Sequence, residues 1–224
     1  KVLVYTIEGT HLRDIATNDY FAIAANDIEL SGSKLYLCDF GWDAEFKYHW
    51  VFLDTTGKLV SAKTTSDHST GYVQYGFSYK FDGDIYYSNI LNDTVFSVSP
   101  DLRWRAAFLF SRGEYRWPVD YEMVSLKEMT KYFRPLQMFE TNRFVFLLWR
   151  YMDKTAYLIT DKTTKKAYQA YKEMKSGMVN YMPAIPNDLD CGLFPVYDNV
   201  DYYSENGDEY ITYFVSPYEL KSHV

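Results

Sequence analysis

One stretch constrains the fold more than any other: DIYYSNILNDTVFSVSPDLRWRAAFLF, residues 84–110. It reads as three short strands, Ile85–Asn89, Thr94–Val98 and Trp104–Phe110. Asn92-Asp93 joins the first two, and Ser99-Pro100-Asp101 joins the last two. Asn and Asp side chains bond their own backbone in turns, and Pro presets the φ that a turn's second residue needs. The stretch is therefore a β-meander, and weaker versions of it recur along the chain.

Residues 1–16 open with a hairpin: Val2–Ile7, a turn at Glu8-Gly9, then His11–Ile15. Its first strand is apolar at both alternating positions, which predicts cover on both faces. Tyr20–Ala25, Ile28–Leu30, Leu35–Phe40, Tyr48–Leu53 and Leu59–Lys63 follow as strands, broken at Asn26-Asp27, Ser31-Gly32-Ser33 and Thr55-Thr56-Gly57. After a polar connector at 64–71, Tyr72–Phe81 runs through Asp82-Gly83, a short-hairpin signal, into the central meander. A later unit holds Leu136–Glu140, Phe144–Trp149, Thr155–Thr160 and Lys166–Tyr171.

Two places read as helix. Ser125 with Glu128 three residues on has capping-box spacing, which predicts a short helix over 126–133 ended by Pro135. Ser216-Pro217-Tyr218-Glu219 combines a Ser cap, Pro at the first helical position and an acidic third residue. That predicts a helix start after the strand Tyr210–Val215, so that this last strand does not fold back as a hairpin. Between the two, 183–195 crowds Pro, Asn, Asp and Gly around a short apolar segment.

The hairpin turns at Gly9, Gly57, Pro100 and Lys162 are spaced by 48, 43 and 62 residues. Four-stranded propeller blades repeat at roughly 40–50 residues, and loop insertions lengthen individual intervals. The longest interval is the one that holds the helix at 126–133. The expectation is an all-β chain: a β-propeller of four-stranded antiparallel blades, about four blade equivalents with the first and last incomplete, forming one domain over 1–224. A β-sandwich also has short strands at near-regular spacing, but it does not predict a repeated strand order.

Bulk properties agree and exclude some functions. The 23 Tyr, 15 Phe and 5 Trp make 19 % of the chain aromatic, which favours pleated, half-buried surfaces. A formal charge of -7 argues against nucleic acid, whose binding rests on Lys and Arg neutralising phosphates, and against adhesion to an anionic membrane. The longest uninterrupted apolar run, Phe144–Trp149, is far too short for a transmembrane segment. Cys38 and Cys191 are too few for a disulfide framework and show no metal-ligand spacing.

A family resemblance rests on two motifs. Asp82-Gly83-Asp84-Ile85-Tyr86-Tyr87, followed by Leu91-Asn92-Asp93-Thr94-Val95-Phe96, resembles the recurrent blade pattern of the Bacteroides six-bladed β-propeller proteins, a TolB-like group of largely unassigned function. Asn187-Asp188-Leu189-Asp190, Gly192 and Phe194-Pro195 are similar to that group's terminal segment, with Cys191 standing where a Gly is usual. The resemblance implies six blades, of which an N-terminal portion would lie outside this sequence. It also implies an extracytoplasmic address, periplasmic or lipid-anchored at the cell envelope. An incomplete ring would expose blade edges, and two outcomes stand open: the chain self-associates through them, or it closes as a smaller ring.

No stretch carries a catalytic signature: the Gly-rich phosphate loop, the His-Glu-x-x-His helix, the Gly-x-Ser-x-Gly elbow and the sialidase-type repeat are all missing. Asp67-His68-Ser69 holds triad residue types, but adjacent side chains do not converge on one substrate atom. Asp188 and Asp190 are the best carboxylate pair for Ca²⁺, since residues two apart on an extended segment point the same way. Ca²⁺ takes 6–8 oxygens and only two or three are local, so backbone capping explains the pair better and no cofactor is assigned.

Ligand contact falls to Trp42, which follows a strand at Gly41, to Trp117 in the inter-blade loop, and to His49 at a strand start. Trp104 and Trp149 lie inside strands and read as blade packing. The leading expectation is a non-enzymatic extracytoplasmic module that binds a glycan, a peptide or an envelope protein at one rim. The alternative is a saccharide-active hydrolase or lyase whose carboxylates come from different blades to the mouth of a central channel.

Overall fold

The computed structural model describes residues 1–17, 27–38, 48–64, 76–89, 92–111, 113–116, 128, 130–173, 181–186, 193–195 and 200–213. The chain divides into two compact units, 1–129 and 130–224. The described residues are almost entirely strand and turn, and the sheets are antiparallel meanders of the propeller-blade kind.

The first unit contains a hairpin and two complete four-stranded blades. β1 (Val2–Tyr5) and β2 (His11–Ile15) form the hairpin. β3 (Asp27–Ser31), β4 (Lys34–Cys38), β5 (Tyr48–Leu53) and β6 (Leu59–Thr64) form one blade. β7 (Gly76–Phe81), β8 (Asp84–Asn89), β9 (Thr94–Val98) and β10 (Trp104–Leu109) form the next. In both blades each strand pairs with its neighbour in sequence, so the strand order repeats as the turn spacing predicts.

The second unit begins with β11 (Arg134–Glu140), β12 (Phe144–Tyr151), β13 (Lys154–Asp161) and β14 (Ala167–Glu173), again a meander. β15 (Tyr181–Pro186) and β16 (Leu193–Pro195) extend this sheet to six strands. β17 (Val200–Glu205) and β18 (Asp208–Tyr213) make a closing hairpin.

Strands that are apolar at successive positions are buried on both faces. In β4 and β5, Tyr36, Cys38, Trp50 and Phe52 point to one side, and Leu35, Leu37, Val51 and Leu53 to the other. The first set packs on Ile85, Tyr87 and Val98 of the next blade. The second packs on Ile15, Val2 and Val4 of the β1–β2 hairpin. In the second unit, Phe139, Phe146, Leu148, Tyr157 and Ala170 pack on Val200 and Tyr202 of β17 in the same manner. Each blade thus removes apolar area from water by stacking on its neighbour, the main stabilising term in such a fold.

Two families of turn mark the repeat. The first hairpin of each blade has a two-residue loop: Gly32-Ser33, Asp82-Gly83, Asn142-Arg143 and Asn206-Gly207. Asp82-Gly83 and Asn206-Gly207 have positive φ at both residues, the twist that tight hairpins require. The last hairpin of each blade, between its third and fourth strands, has a longer turn with a recurring bond pattern. Its corner residue accepts from one N–H and donates to one C=O: Thr6 with Gly9 and Thr10, Asp54 with Gly57 and Lys58, Ser99 with Leu102 and Arg103, Asp161 with Lys165 and Lys166. Positive φ falls at Gly9, Gly57, Leu102 and Lys165. By this pattern β1–β2 is the second half of a blade, and β17–β18, with its two-residue loop, is the first half of another.

The structure corrects several expectations. Among the described residues β1 is covered on one face only, where Val2 and Val4 pack on the β3–β6 sheet, and Leu3, Tyr5 and the following Ile7 are exposed on the other. β18 pairs with the preceding β17 through the Asn206-Gly207 turn, a hairpin absent from the sequence reading, and the chain beyond β18 lies outside the described residues. The Pro-rich stretch contributes β15 and β16. β11 starts at Arg134 and carries Pro135 inside it, opposite Trp149 beside a register shift, where the first strand of the sheet tolerates a missing N–H. Of the predicted helix over 126–133, Glu128 is helical, 130–132 form a turn and a bend, Phe133 is not helical, and 126, 127 and 129 lie outside the described residues. The predicted C-terminal helix also lies outside them.

Candidate functional site

The seam between the two complete blades of the first unit gathers the chemically richest described side chains. At its start the Lys80 ammonium donates to the Leu30 carbonyl. Next, Cys38 Sγ and Ser78 Oγ lie 3.3 Å apart, with Cys38 buried. Mid-seam, Trp50 meets Tyr87 edge to face, and burial raises the Tyr87 hydroxyl pKa, partly opposed by the Trp50 indole. At the rim Lys34 Nζ donates to the Pro100 carbonyl at 3.0 Å.

The seam ends between the last strands of the two blades, β6 and β10. There the Lys63 ammonium lies 5.4 Å from the ring centre of Trp104, a cation–π geometry. Phe96 supports the same indole edge to face, with centroids 5.5 Å apart. Trp104 nevertheless remains 58 % exposed, on the outermost described strand of its sheet. The turn leading into Trp104 is strongly ionic. The Ser99 hydroxyl and then the Arg103 guanidinium hold the Asp101 carboxyl down to about 2. An open indole beside an ammonium is a surface that stacks an apolar ring face and bonds polar groups at its margin.

Trp42, Trp117, Asp188 and Asp190 lie outside the described residues. His49 lies in β5, in the register shift between Tyr48 and Trp50, and its side chain is outside the description. Trp149 is buried and stacks on Phe133, as expected of packing. Trp104 packs on one side only, and strand periodicity gave no sign that its strand would be outermost.

A polar cluster also lies on the exposed face of β1–β2. Asp14 Oδ2 accepts from Lys1 Nζ and Asp14 Oδ1 meets His11 Nε2, both at 2.7 Å. The Lys1 and then the His11 bond lower the Asp14 pKa, and Asp14 raises that of Lys1. Among the described residues no three His, Cys, Asp or Glu are grouped as metal ligands. No described helix is long and apolar enough to cross a membrane.

The fold and its seams define a propeller-class protein built by blade repetition. Over residues 1–224 the chain matches the domain of unknown function DUF4934, and it belongs to that family. No match was found among the curated proteins. Among solved structures, the chain is similar to a candidate exported protein of Bacteroides fragilis, with 15 % identity and a TM-score of 0.51 over 75 % of this chain and 51 % of that one. It also matches virginiamycin B lyase of Staphylococcus aureus at 9 % identity and a TM-score of 0.42, over 96 % of this chain and 63 % of the lyase. A second structure of that lyase, an inactive variant with quinupristin, matches at 10 % identity and the same TM-score. The chain spans about half the length of the Bacteroides protein and 63 % of the lyase. The first likeness concerns fold alone, and the lyase superposition is too loose to bear on function.

Proposed function

We propose that this protein is a non-enzymatic, extracytoplasmic propeller module that binds a glycan on the outer edge of its blades. The observation that carries the reading is Trp104: a largely exposed indole, fixed from behind by Phe96, with the Lys63 ammonium at its face. A sugar ring offers an apolar face to such an indole and hydroxyls to the ammonium. An extracytoplasmic address is supported by the likeness to a candidate exported Bacteroides protein and by the blade motifs around Asp82–Phe96.

A glycan array probed with the purified chain, followed by titration with Trp104→Ala, tests this. Binding that falls at least about tenfold in the variant is expected, the loss of one stacked ring being on the order of 1–3 kcal/mol by analogy with base–aromatic stacking. An array without signal, or binding that Trp104→Ala leaves unchanged, overturns it.

A further inference from the structure

The seam between the two complete blades ends between β6 and β10, the outermost described strands of their sheets. Register sets what faces what there. Lys63 lies opposite Trp50 on its sheet and Trp104 opposite Val98 on the next, and both of those partners are buried in the seam. Side chains directly opposite on paired strands share a face, so Lys63 and Trp104 project into the seam from its two lips. The ammonium reaches to 5.4 Å from the ring centre, and Trp104 stays largely exposed with Lys63 and Phe96 against it.

The positive charges along this seam are unevenly satisfied. Arg103 pairs with Asp101, and Arg105 with Asp84. Lys34 and Lys80 donate to the Pro100 and Leu30 carbonyls. Lys63 is exposed, and among the described residues it meets the indole and no carboxylate. Its ammonium has three N–H donors and a full charge that a ring face offsets only in part. β6 and β10 themselves carry Lys63 and Arg105 and no Asp or Glu, in a chain whose formal charge is -7.

We propose that the sugar taken at this mouth is anionic: a pyranose lies on the open part of the Trp104 indole, and its carboxylate or sulfate group pairs with Lys63. The inference rests on the glycan reading above and narrows it to a ligand class. A neutral sugar gives the ammonium only hydroxyl oxygens. An anionic one gives it a bond charged on both sides, roughly twice as strong as a neutral hydrogen bond, and cancels a charge that no described group cancels. Stacking on Trp104 then supplies affinity for any pyranose, and Lys63 supplies the preference among them.

The test is a glycan array carrying galacturonate, mannuronate and glucuronate oligomers beside their methyl esters, and sulfated galactans beside their desulfated forms. Calorimetric titration of the strongest pair follows. The charged member is expected to bind about fivefold or more tightly than its neutral counterpart, and the responding pair distinguishes carboxylate from sulfate. That ratio is expected to shrink between about 0.05 and about 0.5 M salt, since an exposed pair is screened. Lys63→Met, which keeps an unbranched stem, is expected to bring the ratio to one, and Lys63→Arg to retain it. Trp104→Ala is expected to weaken both members of the pair, with folding of each variant checked by circular dichroism. Equal binding of charged and neutral members, signals from neutral glycans alone, or a preference that Lys63→Met leaves in place overturns this inference and leaves the glycan reading standing. A silent array overturns both.

Discussion

The indole of Trp50 meets the ring of Tyr87 edge to face, with centroids 5.7 Å apart at 69°, across the seam between two blades. Trp50 also contacts Phe52 at 5.4 Å, so one side chain ties its own sheet to the next. Trp50→Ala removes a nearly buried ring from this junction and is expected to lower stability by about 3–5 kcal/mol, read as a fall in the urea midpoint. The Tyr87 hydroxyl adds a pH signature. Burial raises its folded pKa above the ordinary 10.0. The unfolded chain then loses this proton first, so the contribution is complete below pH 10 and declines as pH rises toward the folded value. Tyr87→Phe is expected to flatten the alkaline limb of the stability profile. An alkaline limb unchanged by the substitution would remove this account.

Gly57 and Gly9 hold the same position in successive turns, with φ of +92° and +86°. Their surroundings differ. A Cβ on Gly57 would lie 2.8 Å from Cγ2 of Ile15, whereas one on Gly9 meets nothing within 4 Å. Gly9→Ala is expected to cost only the backbone strain, about 1–2 kcal/mol. Gly57→Ala adds overpacking of roughly 1–3 kcal/mol, because Ile15 is buried and branched. A double-mutant cycle with Ile15→Ala should recover that excess. Equal costs for the two alanines would show that Ile15 does not constrain the turn.

These turns also show what the sequence made legible. Gly9, Gly57, Pro100 and Lys162 mark four equivalent hairpins because their chemistry is local, and the repeated blade order follows from their spacing. Asn206-Gly207 is an equally local signal, yet Ser204, Glu205, Asp208 and Glu209 around it are polar on both faces, so no apolar alternation frames the hairpin. Pro183 reads as a break but sits in β15 opposite Tyr171, in a pairing with β14 limited to three rungs. What periodicity does not encode is position within the stack. Among the described residues, Leu3 and Tyr5 lie on the face of β1 away from the sheet it packs on, and Trp104 lies on the outermost described strand of its sheet.

Leu102 and Lys165 adopt the same left-handed conformation as the glycines, with φ of +67° and +59°. A non-glycine residue there carries a strain of about 1–2 kcal/mol. Lys165 is exposed and its side chain packs on nothing described, so Lys165→Gly is expected to raise the thermal midpoint, a gain of about 1 kcal/mol. Leu102 also packs on the core between the blades. Leu102→Gly gives up that packing and is expected to be destabilising despite the relieved backbone. A loss of stability in Lys165→Gly would show that this turn takes its shape from something other than the residue's φ.

Asp161 supplies the corner of the last such turn and draws several groups together. Its Oδ1 accepts from the Thr163 and Thr164 N–H groups at 2.8 and 3.0 Å. Its Oδ2 accepts from Arg143 Nε and one terminal guanidinium nitrogen at 3.0 and 2.9 Å. These bonds, that from Thr164 first, lower the carboxyl below its ordinary 3.8 against the opposing effect of burial. With the folded pKa depressed, the contribution is present above pH 3.8 and is lost as pH falls toward the folded value, where the carboxylate is protonated. Asp161→Asn keeps the shape and removes the titration. It is expected to be less stable than the parent at neutral pH, with the difference shrinking below pH 4 in acid-unfolding curves followed by circular dichroism. A difference that stays constant from pH 7 to pH 2 would mean that the amide loses packing alone and that the charge on Asp161 contributes nothing to holding the turn.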